Sequence, residues 1–240
     1  MSIAVLRSLL FALVFLSGTV PLALLIAAVA PVSPAAVRAG SHLWAVWFVW
    51  CARWLAGVRL VVRGAVPQAP CLVALKHQSA FETYLTLYLF DRPAVVMKKE
   101  LLDIPVWGFI ARRHGSIGVD RARGTVAMKR LIREARDRIA AGRPILIFPE
   151  GTRVPVGAAP PLKSGLAALY QVTGLAVVPV ALDSGRLWGK GLRKRPGTVT
   201  LAFLPEVPPG LGREEMEARV HAAINADPLT AEVRAAEVRA

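Results

Sequence analysis

Residues 71–82 have the sequence CLVALKHQSAFE, in which an apolar run is followed by a short polar segment and then by the start of a helical pattern. The run Cys71–Leu75 contains no charged residue, as expected for a strand that is covered on both faces of a sheet. A helix predicted over Thr83–Phe90 follows directly. In α/β proteins, ligands collect where a strand ends and a helix begins.

Short apolar runs and helical patterns alternate from Val58 onward. Apolar residues recur at helical spacing between Met128 and Ile139, with basic residues on the opposite side, and Leu162–Val172 is a further predicted helix. This alternation predicts an α/β fold with a single sheet of about seven strands and helices on both faces. The predicted strands are Val58–Arg63, Cys71–Leu75, Ala94–Met97, Ser116–Val119, Ile145–Phe148, Val177–Leu182 and Thr198–Leu204.

The N-terminal part of the chain is strongly apolar. Ser8–Val37 contains no charged residue and exceeds the ~20 residues that a membrane-spanning helix needs. Pro21 is expected to kink this helix, and Pro31 and Pro34 are expected to end it. A cleaved signal peptide is the alternative, since Arg7 precedes an apolar core. The length of that core and the arginines after it favour an uncleaved anchor.

The charge of the chain is strongly basic, with 30 Lys and Arg residues against 16 Asp and Glu residues. Arginines follow the anchor and no acidic residue precedes Glu82, so the positive-inside rule predicts an inner-membrane protein whose C-terminal domain faces the cytoplasm. A basic surface suits phospholipid headgroups, phosphorylated metabolites, coenzyme A or nucleic acid. The basic residues are spread out and accompany no nucleic-acid-binding motif, so we expect no nucleic acid partner.

A second apolar segment, Ser41–Leu55, carries Trp44, Trp47, Trp50 and Trp54. Their spacing places the four indoles along one helical stripe. Indoles favour the headgroup level of a bilayer, so the segment is predicted to lie in or dip into the interface beside the first helix. The alternative is a Trp-rich helix packed on the protein core.

The predicted domains are a membrane anchor over residues 1–57, an α/β domain over 58–212 and a helical tail over 213–240. Cys51 and Cys71 lie in apolar runs outside any CxxC or Cys/His cluster, which predicts reduced thiols and no metal site.

His77 lies in the polar segment between the predicted strand and helix, and Glu82 falls in the first turn of that helix. A carboxylate there can hydrogen-bond to one imidazole nitrogen, fix the tautomer and leave the other nitrogen to take a proton from a substrate hydroxyl. An alternative interpretation is a capping box, in which Glu82 accepts a hydrogen bond from the Ser79 N–H group. The two interpretations are partly compatible because a carboxylate has two oxygens.

A compact anion site is predicted after the strand Ile145–Phe148. Gly151, Thr152 and Arg153 offer a backbone N–H, a hydroxyl and a guanidinium fork. Arg121, after another strand, could supply a second fork to the same phosphate; its alternative is an ion pair with the preceding aspartate. Glu150 could hold Arg153 or contact a substrate hydroxyl; its alternative is a surface salt bridge.

Four segments in this order resemble the glycerolipid acyltransferase family, whose best-known members acylate 1-acylglycerol-3-phosphate. The family has a His-four residues-acid block, a strand closing on Arg, the block F-P-E-G-T-R and a V-P-V strand. The matching segments here are His77 to Glu82, Val119 to Arg121, Phe148 to Arg153 and Val178 to Val180. Two departures are that the family's acid is more often Asp, where Glu82 stands, and that the residue before His is often Asn, where Lys76 stands.

The resemblance implies a membrane-bound enzyme that acylates a lysophospholipid. His77 would act as base with Glu82 behind it, and Arg121, Glu150, Gly151, Thr152 and Arg153 would hold the acceptor phosphate. The acyl donor would be acyl-CoA or acyl carrier protein, with the bilayer as a partner and without a metal or cofactor. Other acceptors remain open, namely a lyso-aminolipid such as lyso-ornithine lipid, or glycerol-3-phosphate. The alternative from another class is a non-catalytic, membrane-tethered anion-binding protein.

Overall fold

The computed structural model describes residues 3–235, and they form one seven-stranded sheet with helices packed on both of its faces. The helices are α1 (Ile3–Val29), α2 (Pro34–Cys51), α3 (Phe81–Leu89), α4 (Lys99–Leu102), α5 (Trp107–His114), α6 (Gly124–Ala140), α7 (Ser164–Thr173) and α8 (Arg213–Ile224). The strands are β1 (Val58–Arg63), β2 (Leu72–Leu75), β3 (Ala94–Lys98), β4 (Ile117–Val119), β5 (Ile145–Ile147), β6 (Val177–Leu182) and β7 (Gly197–Phe203).

The strand order across the sheet is β1-β7-β6-β2-β5-β3-β4. The five strands from β6 to β4 are mutually parallel, whereas β7 pairs antiparallel with β6 and β1 runs parallel to β7. The predicted α/β fold with seven strands is confirmed. Because five strands are parallel, their carboxyl ends meet along one edge of the sheet.

The residues of β2 show how the sheet separates two helical layers. All four are buried, and alternate side chains point to opposite faces. Val73 and Leu75 pack in a core that includes Phe48 of α2. Leu72 and Ala74 pack in a second core with residues of α6, α7 and α8. The N-terminal helices and α3 therefore cover one face, and α6 to α8 cover the other.

Helix α1 is apolar on its exposed side. Among residues 3–235 it is the one helix that is long enough and apolar enough to cross a membrane. It buries Phe11 and Phe15 against Phe48 of α2 and Trp188 of the α/β domain, while Leu13 and its neighbours remain exposed. The helix continues through Pro21 and ends at Val29, and Pro34 opens α2 behind an N-cap hydroxyl from Ser33. This exposed apolar surface indicates membrane association.

The predicted tryptophan stripe is divided between protein and surroundings. The Trp44 ring packs inward against Tyr84, and its indole N–H donates to Thr19 Oγ1 at 3.1 Å. Trp54, by contrast, is 61% exposed and lies in a π-helical turn, Ala52–Ala56, that follows α2. The prediction of one continuous interfacial stripe is therefore wrong for Trp44, because this side chain of α2 faces residues of α1 and α3.

Helix α8 packs into the same core as the strands. Its buried residues Met216, Val220 and Ile224 lie against the sheet face that α6 and α7 also cover. The division predicted at residue 212 therefore does not coincide with a break in packing. Residues 1–2 of the predicted anchor and 236–240 of the predicted tail lie outside the described residues.

The burial of His114 leads to a pH-dependent stability. Burial, together with the positive charges of Arg143 and Arg38 and against the opposite effect of Asp91, lowers the pKa of His114 from 6.5 to about 4. The unfolded chain therefore binds a proton near pH 6.5 that the folded chain does not. We expect the free energy of unfolding to fall by about 3 kcal/mol as the pH drops from 6.5 to 4.

Equilibrium unfolding of the protein and of His114→Gln in detergent micelles, between pH 7 and pH 4, would measure this effect. The substitution should flatten the pH dependence in that window. If the free energy of unfolding depends on pH in the same way in both proteins, folding does not lower the pKa of His114.

Candidate active site

The predicted site segments all follow carboxyl ends of neighbouring parallel strands. His77 follows β2, the turn Phe148–Arg153 follows β5, and Arg121 follows β4. Ser184 follows β6, which is the other neighbour of β2. The sheet therefore brings together segments that are more than a hundred residues apart in the sequence.

Glu82 is the most heavily hydrogen-bonded side chain of this edge, and it is fully buried. Its Oε1 accepts hydrogen bonds from His77 Nδ1 at 3.0 Å and from the backbone N–H groups of Gln78 and Ser79, both at 2.6 Å. Its Oε2 accepts from the hydroxyls of Ser79 at 2.7 Å and Ser184 at 2.6 Å. The hydrogen bond from the Ser79 N–H that the capping box predicts and the contact with the imidazole thus occur together, on one carboxylate.

The surroundings of Glu82 keep it ionised. Burial by itself would raise the pKa of its carboxyl group. The hydrogen bond and positive potential from His77, with the hydrogen bonds from Ser184 and Ser79, outweigh burial and hold the pKa below its usual range. A charged carboxylate therefore stands next to the imidazole at neutral pH.

The contact with Glu82 sets the chemistry of His77. Because the carboxylate is an acceptor, the neutral ring carries its proton on Nδ1, which leaves Nε2 with a free lone pair. The ring of His77 stacks on Phe148 with 4.2 Å between centroids, and His77 lines a cavity of about 1260 Å³. His77 and the turn that follows β5 are therefore in direct contact.

The turn after β5 differs from the prediction at two residues. Gly151 has φ of +71°, a left-handed conformation that favours glycine, and its N–H donates to Phe148 O at 2.9 Å inside the turn. Glu150 is buried and pairs with Lys76 rather than with Arg153, at 2.5 Å from Nζ to Oε1. The Gly151 N–H and the Glu150 carboxylate are thus both bonded within the protein. The prediction that these two groups help to hold a phosphate is therefore corrected, since neither is available for that contact.

The remaining predicted anion ligands converge on the cavity. Thr152 and Arg153 are exposed and line it, and Arg121 lines it from the end of β4. The Arg121 guanidinium lies close to Gly151, since a Cβ atom built on this glycine would be 3.9 Å from it. Asp120 pairs with Arg123 and Lys99 instead of Arg121, so the alternative ion pair is not formed.

Much of the cavity wall is apolar. This part is made by β3, β4, β5, the connection between α4 and α5, and the first turns of α6. The lining residues of this part are Val95, Val96, Met97, Leu101, Ile104, Trp107, Val119, Met128, Leu131 and Ile147. One cavity is therefore lined by His77, by cationic groups and by an apolar wall.

The comparisons with known proteins agree with this arrangement. The model of the family described as Acyltransferase matches residues 57–183, which include every predicted site residue. The chain belongs to the acyltransferase family. The acyltransferase is 36% identical over 182 residues to the 1-acyl-sn-glycerol-3-phosphate acyltransferase of Pseudomonas aeruginosa, an overlap of 74% of this chain and 71% of that one.

Two further relatives extend the comparison. The enzyme of the same name from Cocos nucifera is 28% identical over 160 residues, which are 64% of this acyltransferase and 51% of the relative. The crystal structure of the 1-acyl-sn-glycerophosphate acyltransferase PlsC from Thermotoga maritima superposes with a TM-score of 0.73 at 23% identity, and the match covers 91% of this chain and 93% of that one. At that identity the structural match shows a shared fold.

Several side chains at the site of this acyltransferase were not predicted from the sequence. Ser184 bonds the carboxylate directly, and Lys163 and Lys190 add positive charge to the cavity wall. The available signal for Ser184 was its position just after a strand that ends at the same sheet edge. The two lysines lie in irregular segments, where the sequence does not predict which way a side chain points.

Replacing Glu82 by Gln separates its two roles in the acyltransferase. A Gln side chain can still accept from the Ser79 and Gln78 N–H groups, but it lacks the charge that stabilises an imidazolium ion. We expect kcat to fall about 100-fold or more, with a melting temperature close to that of the parent protein. Thiol release and thermal unfolding measured on the same preparation provide the test. Nearly normal turnover would reduce Glu82 to a helix cap.

Proposed function

We propose that this acyltransferase moves a fatty acyl chain from acyl-CoA or acyl carrier protein to the free hydroxyl of 1-acylglycerol-3-phosphate, and so makes phosphatidic acid for phospholipid biosynthesis. One observation carries the proposal: His77, held by Glu82, shares a single cavity with Arg153 and with an apolar wall. The names of the relatives support this choice of acceptor.

The proposed chemistry needs one base and no cofactor besides the thioester co-substrate. His77 Nε2 takes the proton of the acceptor hydroxyl as its oxygen attacks the thioester carbonyl carbon. A C–O bond forms, and the resulting tetrahedral intermediate collapses with cleavage of the C–S bond. The imidazolium then returns its proton to the leaving thiolate, which gives an ester and a free thiol. The Glu82 carboxylate stabilises the imidazolium in between.

The cationic part of the cavity is proposed to hold the acceptor phosphate. Arg153 and Arg121 present guanidinium forks, which match the oxygens of a phosphate, and Thr152 adds a hydroxyl. Burial raises the pKa of Tyr84 and lowers that of Lys194, and the positive charge of Arg153 reaches both groups and acts to lower each pKa. A phosphate placed there would hold the neighbouring hydroxyl near Nε2, and an acyl chain would occupy the apolar part.

The membrane-facing side of α1 is proposed to attach the enzyme to the inner membrane, with the catalytic domain on the cytoplasmic side. Acceptor and product are both lipids, so a cavity next to a bilayer surface can exchange them without passage through water. The arginines that follow α1 and the absence of acidic residues before Glu82 support this orientation.

Substitution of His77 tests the proposed base. Membranes that contain the protein would receive acyl-CoA or acyl carrier protein loaded with an acyl chain, and thiol release would be followed with lysophosphatidic acid, lyso-ornithine lipid or glycerol-3-phosphate as acceptor. We expect activity with lysophosphatidic acid, and a loss of about 100- to 10,000-fold in His77→Ala.

His42→Ala is the matched control, because His42 is an exposed histidine of α2 outside the cavity. Undiminished turnover in His77→Ala would exclude the general base. A parent protein that is inactive with every acceptor would instead favour the non-catalytic anion-binding protein.

Substitution of Arg153 tests the phosphate contact. A charge-assisted hydrogen bond contributes about 1.5–3 kcal/mol, so Arg153→Gln should raise the KM for lysophosphatidic acid roughly 10- to 100-fold. The KM for the thioester should stay close to its original value. Arg136→Gln, on the exposed side of α6, serves as control. A change confined to the thioester KM would assign Arg153 to the donor instead.

A further inference from the structure

A buried cation lies directly before the proposed base. The Lys76 side chain is 3% exposed, and an unpaired ammonium group in such a place would cost several kcal/mol. Its Nζ donates to Glu150 Oε1 at 2.5 Å, to Asn225 Oδ1 at 2.5 Å and to Ala158 O at 2.7 Å. An ammonium group has three protons, and these three acceptors use them all. Lys76 therefore has no proton left for a substrate.

The three acceptors belong to three separate segments. Glu150 is in the turn after β5, Ala158 lies in the irregular stretch that leads to α7, and Asn225 is the residue that follows α8. The same irregular stretch is held a second time, by a 3.1 Å hydrogen bond between His221 Nε2 and Ala159 O. Lys76 thus joins the proposed phosphate-binding turn to the C-terminal helix.

Glu150 extends this connection to the backbone of the base. Its Oε2 accepts from the His77 N–H at 2.9 Å, and the His77 carbonyl accepts from the Val154 N–H at 2.8 Å. The peptide groups on both sides of His77 are therefore tied to the segment that contains Arg153. Movement of that segment would change the distance between the base and the guanidinium group.

We propose that Lys76 is a positioning residue, which acts through Glu150 and Asn225 to fix residues 150–163 relative to His77. The inference rests on the proposed function, because it assigns Arg153 to the acceptor phosphate. A buried ion pair that only stabilised the fold would leave substrate binding unchanged once the protein is folded. A positioning network instead controls the KM for the phosphorylated acceptor, because phosphate and hydroxyl must be bound at a fixed separation.

Lys76→Met provides the test, since methionine has a similar length and no charge. We expect kcat/KM for lysophosphatidic acid to fall about 100-fold, mainly through KM, while the KM for the thioester stays the same. An unaltered KM for the acceptor would overturn the proposal.

Arg143→Met is the matched control for lost stability. Arg143 is a partly buried cation whose guanidinium donates to the carbonyl groups of Arg92, Pro93 and His114, away from the cavity. Its replacement should lower the melting temperature and leave both KM values unchanged below that temperature. An equal rise of the acceptor KM in Arg143→Met would show that the effect comes from general destabilisation, and would overturn the assignment.

A second variant and a second readout cover the case in which Lys76→Met does not fold. Asn225→Ala removes one acceptor and keeps the ion pair, so the acceptor KM should rise a few-fold. Amide hydrogen exchange of residues 150–163 without substrate should become faster in either folded variant and stay unchanged in Arg143→Met. Unchanged exchange in Asn225→Ala would overturn the proposal. If exchange becomes faster in the variants but the unsubstituted protein transfers no acyl chain, the proposed function is refuted, whereas the positioning network is supported.

Discussion

The ionised carboxylate of Glu82 imposes the main constraint on this acyltransferase. A buried charge of this kind is tolerated only when its oxygens are fully hydrogen-bonded, and five donors surround it. Four of these donors lie in the segment between β2 and α3, and Ser184 comes from the end of β6. The carboxylate therefore requires β2 and β6 to be neighbours with their carboxyl ends level, and the sheet provides that arrangement.

The same sheet edge explains why the proposed chemistry uses several short motifs. Three of the five parallel strands contribute these turns to the edge: β2 gives His77, β5 gives the turn that contains Arg153, and β4 gives Arg121. The cavity at this edge is lined by both cationic and apolar side chains. A phosphorylated lipid likewise combines a charged end with a hydrocarbon end.

The sequence alone predicted those features that depend on local patterns. Apolar runs located all seven strands, and the strand-to-helix junction located His77 and Glu82, because five residues across a loop and one helical turn bring them together. The partners of Glu150, Lys76 and Ser184 were not predictable, since they depend on which loops meet across the sheet. The prediction from the tryptophan spacing was wrong for a related reason. The spacing shows which side of the helix the indoles share, but the neighbouring helices determine whether that side is buried.

The two departures from the family pattern each create a local requirement that the chain meets. Glu82 is one methylene longer than Asp, and its carboxylate reaches the imidazole as well as the backbone N–H groups at the start of α3. Lys76 places a positive charge in the core, which must find a negative partner and further acceptors. Glu150 supplies that charge and is thereby withdrawn from the cavity, while Asn225 supplies an acceptor from beyond α8. The lysine at position 76 thus makes the C-terminal helix part of the same structural unit as the site.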